Sequence, residues 1–351
     1  MKIIIGAGIT GATIARILAE KGNKVLVIEK ENHVAGACYD IIADNLPITQ
    51  FGGHIFHTND EEVWKFVNRF TEFYPYEHRV IAYDNNLFYT LPINLLTLNQ
   101  FGLESIERAK EYFKNLNFVG DNNFEERAIS TIGYLLYEKF FYHYSVKQWG
   151  MEPKELPAFI FSRLPVRLNM DTRYFSDKYQ GMPKNGYTKM IENMLDHENI
   201  EVRLNEKYEG HDKNIIYTGM IDEYYNYKEG QLQYRSIYHK WIREDEDNYG
   251  SATINHVSPE DLFTRTITFN HFYPHVKTNK FVTIIEYARS YNVFGGEPLY
   301  PIPTKDNLDI YNNYKSIDND IIFAGRLGSY KYLNIDASIK LAMNIAGGLI
   351  C

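Results

Sequence analysis

The feature that most restricts this chain lies at its start. Lys2–Ile5 (KIII) reads as a short buried strand, and Gly6-x-Gly8-x-x-Gly11 follows it directly. The glycines open a helix that runs to about Lys21 and stops at Gly22-Asn23, and Lys24–Glu29 (KVLVIE) is a second strand. The segment is therefore a complete β-α-β unit. In this spacing the first glycine permits a tight turn, the second lets backbone approach a pyrophosphate, and the third lets helix pack on sheet. The helix start then offers N–H groups to phosphate. Glu29, at the end of the second strand, can accept both hydroxyls of a ribose and would repel a 2′-phosphate. A glycine motif alone could be a turn without a ligand; strand, helix and acid together predict a dinucleotide site.

Composition excludes some partners. The 351 residues suffice for two or three domains with a large core. A net charge of -8 gives no support to a nucleic-acid or anionic-membrane partner, although it leaves room for a local arginine cluster. No apolar run approaches ~20 residues, so no membrane span is expected. The opening apolar run is the fingerprint and lacks a good cleavage site, so it is not read as a signal peptide. Cys38 and Cys351 are the two cysteines, and no structural disulfide is expected; a reducing cytoplasm is the natural setting.

Further along, 60–72 reads as an amphipathic helix with Asp60 as its start signal and Val63, Phe66, Val67 and Phe70 on one face. Residues 78–91 alternate as a hairpin turning at Asp84-Asn85-Asn86. Residues 94–150 are mainly helical. Short strands from about 215 to 310 suggest an antiparallel sheet. Residues 320–325 read as a final strand returning to the first, and 336–348 as a closing helix.

Ala35-Gly36-Ala37-Cys38-Tyr39-Asp40 follows Glu29 closely. It resembles the G-G-x-x-Y-D continuation in FAD proteins of the glutathione-reductase type. Ala35 replaces the first glycine and can serve only at negative φ. Ala324-Gly325-Arg326 fits the same resemblance, in which a late strand ends at a glycine beside the pyrophosphate and the last helix points at the flavin. An ordinary terminal strand and helix is the alternative. No second glycine fingerprint appears, so no separate NADPH domain is expected.

A second set of motifs is more specific. Gly53-His54-Ile55-Phe56-His57-Thr58, Leu91-Pro92-Ile93-Asn94 through Asn99-Gln100-Phe101, and Lys147-Gln148-Trp149 occur in that order. Arg163-Leu164-Pro165-Val166-Arg167, Arg173-Tyr174-Phe175, Asn185-Gly186-Tyr187-Thr188, Tyr217-Thr218-Gly219 and Gly325-Arg326-Leu327-Gly328 continue it. The chain thereby resembles the FAD-dependent, bacterial-type UDP-galactopyranose mutase family from first strand to last helix. The fold class implied is α/β: an FAD-binding Rossmann-like domain (1–78, 180–218, 315–351), an inserted helical nucleotide-binding domain (95–165) and an antiparallel-sheet substrate domain (79–94, 219–314).

The resemblance implies interconversion of UDP-galactopyranose and UDP-galactofuranose through an adduct of sugar and flavin N5, with FAD reduced and recharged by an external reductant such as NADH or NADPH. It implies a nucleotide-sugar partner and allows a homodimer. Its two diphosphate arginines fall on Arg163 and Arg265, where guanidinium forks suit the leaving charge. His54 and His57 fall close to the flavin. Gly6, Gly8, Gly11, Glu29, Gly36, Arg235, Gly325, Arg326 and Asn334 are the cofactor candidates. Phe140, Tyr144 and Trp149 fall on the base-binding surface, although their spacing also suits a core stripe. Tyr174, Tyr300 and Tyr332 match tyrosines that grip the diphosphate or line the sugar pocket. No metal site is expected.

Asn334 stands where the family usually has an acid, and Thr268 and Asn270 where it has a glutamate and a basic residue. These departures leave the sugar open among galactose, N-acetylgalactosamine and 6-deoxy sugars. A flavin oxidase on the same scaffold and a nucleotide-sugar-binding protein without flavin are the rival functions.

Overall fold

The structure, a computed structural model, describes residues 1–163, 165–210, 214–317 and 320–350, without the side chains of 162, 163 and 350. The chain forms two compact units. The first gathers Met1–Tyr76, Asp177–Arg235 and Glu297–Cys351, and the second Glu77–Ser176 and Ser236–Gly296. The helical stretch and most of the expected sheet domain thus share the second unit, while 219–235 and 297–314 fall in the first.

In the first unit a parallel sheet has the order Ile200–Arg203, Val25–Ile28, Lys2–Ile5, Ile215–Tyr217, Ile322–Phe323. All four residues of Val25–Ile28 are buried, as expected for a parallel strand covered on both faces. The final strand pairs with Ile215–Tyr217 and not with the first strand, which corrects the expected closure. Sequence pattern shows that a strand is buried but not which neighbour it takes. The helix Ile9–Glu20 packs against the closing helix Ile335–Ile350. Small buried residues on both, Gly11, Ala12 and Ala15 on one and Ala342 and Ala346 on the other, suit that close approach.

The helix predicted over 60–72 is Glu61–Val67, with Asp60 accepting from the Glu62 and Val63 amides. Past Asn68, whose backbone and side chain both donate to the Trp64 carbonyl, the ladder tightens to three-residue bonds, Arg69 to Phe66 and Phe70 to Val67. Phe70 is still buried, with its ring on Phe66.

The second unit is built on six strands of a seven-stranded sheet, in the order Tyr234–Glu244, Phe281–Ser290, Arg265–Thr268, Thr253–His256, Val80–Asp84, Leu87–Leu91. The first two residues of its opening strand belong to the first unit. Phe281–Ser290, Arg265–Thr268 and Thr253–His256 pair antiparallel in turn, as do Val80–Asp84 and Leu87–Leu91, while Thr253–His256 runs parallel to Val80–Asp84. Asn85 and Asn86 turn the hairpin at positive φ, a primed turn that matches the twist of its strands. Helices Leu95–Asn99, Ile106–Lys114 and Phe124–Ile132 start at Asn94, Ser105 and Asn123, each side chain accepting from the first turn. Tyr134–Trp149 is helical throughout but passes through a π turn at Glu138–Tyr142.

Candidate active site

The first unit holds a cleft of about 230 Å³ at the C-terminal ends of its parallel strands, the usual ligand position in open α/β sheets. Gly6 has φ +102°, and a Cβ there would lie 2.1 Å from Thr218 Oγ1. A Cβ on Gly11 would lie 2.0 Å from the Gly6 carbonyl oxygen. Packing therefore forces both to be glycine. Gly8 is different: nothing stands within 4 Å of where its Cβ would be, and it lines the cleft. It also starts the helix Ile9–Glu20, which has no side-chain cap. The orphan N–H groups of that first turn and the open space above Gly8 make a place that could hold an anion such as a pyrophosphate.

Glu29 lines the same cleft. Its Oε2 accepts from the Ala7 amide (2.8 Å) and its Oε1 from the Glu31 amide (3.0 Å). These bonds fix the carboxylate, and each oxygen keeps a lone pair for a ribose hydroxyl. Glu31, Glu206, Glu223 and Glu297 gather near it, with Lys30 and Lys207 between them. Sequence reasoning did not find this rim, because its members come from four segments without a shared motif.

Ala35 overturns one expectation. It adopts φ +84°, in the left-handed region, rather than a negative φ. Its amide donates to the Ala7 carbonyl (3.0 Å) and it bridges to Gly8, so the fold holds it there against a cost of about 1–2 kcal/mol. Gly36 follows at φ +49° and also lines the cleft. Cys38 lines it as well, but burial pushes its thiol up to about 12, so it is no nucleophile.

Gly325 (φ +74°), Arg326 and Ile335 complete the cleft, and Asn334 immediately precedes the closing helix, its carbonyl accepting from Ser338. Arg326 directs three of its five N–H donors to protein carbonyls: Nε and Nη2 donate to Leu333 O (3.2 and 2.6 Å) and Nη1 to Leu299 O (2.9 Å). Tyr300 and Tyr332 stack 5.5 Å apart beside it. His54 lines the cleft, with the Tyr187 hydroxyl donating to its carbonyl (3.2 Å). His57 does not line it; its Nδ1 is 3.0 Å from Asp177 Oδ2. Arg235 is buried and also outside the lining, and burial lowers its pKa to about 10.

In the second unit, Arg265 and Glu286 face each other across neighbouring strands. Arg265 Nε donates to Glu286 Oε1 (2.7 Å), and His239 Nε2 lies 3.5 Å from Oε2. Glu286 is wholly buried, which raises a carboxyl's pKa, but Arg265 and His239 outweigh burial and hold it down to about 2. The Tyr174 amide donates to the His78 carbonyl (2.7 Å). Tyr144 is half-buried and Trp149 buried on one helix. Phe140, expected against a base, is instead 1% exposed among Tyr89, Phe101 and Phe141. Its helical spacing reported a core stripe, the alternative that spacing also allowed. Arg163 ends a short 3-10 helix, and its side chain lies outside the described residues. Thr268 and Asn270 turn their side chains into the unit's own hydrogen bonds, to Thr283 and to Thr278 and Lys280. Lys147, one of the motif residues, donates to the carbonyls of His256, Ser258 and Asp261 and so ties a loop to its helix.

Among the described residues no three His, Cys, Asp or Glu side chains cluster as metal ligands, and no helix is long and apolar enough to cross a membrane.

A parallel sheet, a glycine-opened helix start and a ribose acid define a flavoprotein-like fold with a Rossmann-type dinucleotide domain. A family model for NAD(P)-binding Rossmann-like domains matches residues 4–70. The fold is similar to a crystal structure of reduced UDP-galactopyranose mutase (TM-score 0.77, 13% identity, 99% of this chain and 93% of that one). It is also similar to a putative protoporphyrinogen oxidase from Exiguobacterium (TM-score 0.69, 12% identity, 99% and 98%). The UDP-galactopyranose mutase family model matches residues 139–332. The chain is 39% identical to a probable UDP-galactopyranose mutase of Klebsiella pneumoniae over 98% of its length and 93% of the relative's. It is 38% identical to the dTDP-fucopyranose mutase of Escherichia coli over 98% and 97%. The chain belongs to the UDP-galactopyranose mutase family.

Proposed function

We propose that the chain interconverts the pyranose and furanose forms of a nucleotide-linked sugar, with FAD in the cleft of the first unit. The observation that carries the cofactor is the space above Gly8 at an uncapped helix start, with Glu29 fixed at the ribose position. When bound in its reduced form, FAD supplies a nucleophilic ring nitrogen, so the sugar can lose its diphosphate and regain it without net redox change.

The chain's own residues supply the rest. Arg265, with Nε fixed by Glu286, stabilises the negative charge of the departing diphosphate. Arg163 is assigned the same task. Tyr144 stacks on the nucleotide base, and Tyr174, Tyr300 and Tyr332 hold the diphosphate and sugar. His54 lines the cleft wall, which supports assigning it to the flavin.

UDP-galactopyranose is the first substrate choice. The likeness to a dTDP-fucopyranose mutase, together with Asn334 in place of the family's acid, supports a dTDP-linked 6-deoxy sugar as the second. Each sugar nucleotide is incubated with dithionite-reduced protein and the products are separated by chromatography. Furanose formed at least about tenfold faster from one donor identifies the substrate. Conversion of neither overturns the proposal.

A further inference from the structure

We propose that Arg326 is a positioning residue that locks Tyr300 and Tyr332 into one rigid wall, rather than a ligand of the dinucleotide. The inference rests on the nucleotide-sugar reading above. Arg326 lines the cleft and carries a fixed positive charge, so a pyrophosphate contact is the obvious role. The geometry points elsewhere. The edge formed by Nε and Nη2 grips the Leu333 carbonyl, and Nη1 reaches the Leu299 carbonyl.

Those two carbonyls are adjacent to the tyrosines in the chain. Leu299 precedes Tyr300 and Leu333 follows Tyr332. The guanidinium thus fixes the backbone beside each ring. Its carbon also lies 5.3 Å from the Tyr300 ring centre and 5.4 Å from that of Tyr332, while the rings stack at 14° to each other. One planar cation therefore holds two separate chain segments and both rings. A lysine has the charge but lacks the planar fork that sends two N–H groups to the Leu333 carbonyl and a third to that of Leu299 while the plane faces both rings. With the rings held as a pair, their hydroxyls keep a fixed spacing for the diphosphate, and the ordering is complete before the substrate arrives.

The test uses FAD-loaded protein and titration with UDP and with dTDP, alongside steady-state turnover. Arg326→Met is expected to keep wild-type flavin content. Its nucleotide Kd and sugar-nucleotide KM should rise about tenfold, with a smaller fall in kcat. Arg326→Lys should resemble Arg326→Met. In a double-mutant cycle with Tyr332→Leu, the effects on nucleotide Kd should fall short of additivity by at least about threefold, because both changes disturb one wall. Loss of flavin from folded Arg326→Met protein would make Arg326 a cofactor ligand and overturn the proposal, as would full additivity. If Arg326→Met does not fold, the same cycle with Arg326→Lys decides. Nucleotide binding is read without turnover, so a wild-type protein that binds UDP or dTDP but converts no sugar would sink the proposed function alone. Failure to bind either nucleotide would sink both.

Discussion

The dinucleotide cleft and the Arg265–Glu286–His239 cluster handle charge in opposite ways. In the cleft, backbone supplies most of the polar surface: Gly8 leaves space, the helix start leaves N–H groups, and the Glu29 carboxylate is held by two amides. In the second unit, side chains do it: a carboxylate with no solvent exposure sits between an arginine and a histidine on the strands beside it. A backbone site tolerates little added volume but stores little buried charge. A side-chain site stores much buried charge, so its integrity depends on every partner being present.

The largest effect expected from this contrast is at Glu286. Glu286→Ala strands Arg265 and His239 in the sheet and should lower stability by about 3–5 kcal/mol, read as a fall in the denaturant midpoint. Its titration has a defined sign. The folded pKa is depressed, so Glu286 stabilises the fold above the ordinary carboxylate range. That contribution is lost as pH falls from about 4.5 toward about 2. Glu286→Gln should therefore flatten the acid limb of the stability profile. An unchanged acid limb would mean that the pair is not coupled to folding.

Gly8→Val should do the reverse. Its stability should stay within about 1 kcal/mol of wild type, since nothing stands within 4 Å of the Cβ position. FAD affinity should fall by about a hundredfold or more, since the added methyls fill the pyrophosphate cradle. Retention of bound flavin at wild-type stoichiometry would show that the dinucleotide lies elsewhere.

The smallest effect is at Ala35. Ala35→Gly should relieve left-handed strain and, after the added chain entropy of glycine, stabilise by about 0.5–1 kcal/mol without changing flavin content. A destabilised variant would show that the Ala35 side chain contributes more by packing than its backbone loses.

The same contrast explains what could be read before the structure. The β-α-β unit, the glycine roles and Glu29 were legible because a backbone site imposes local spacing rules: Gly6, Gly8 and Gly11 lie on one turn. Asp60 as a cap and the Asn85-Asn86 turn were legible for the same reason. Side-chain sites obey no such spacing. Glu286 and His239 lie on strands remote in sequence from Arg265, and Asp177 on a segment remote from His57. Family motifs named Arg265 and His57 but not what holds them. Phe140 shows the converse limit: a helix stripe marks a buried face, but whether that face meets a ligand or other side chains is a tertiary fact. The left-handed Ala35 was missed because local preference disfavours it, and its bond to the Ala7 carbonyl and its bridge pairing with Gly8 form only in the folded chain.

The central claim is that reduced flavin in the first unit's cleft is needed to change the ring size of a nucleotide-linked sugar. It is tested most directly by comparing anaerobic turnover of one FAD-loaded preparation before and after dithionite, with the furanose product quantified by chromatography. Reduced protein should turn over and oxidised protein should fall at least about a hundredfold below it. Equal rates in the two states would contradict the account.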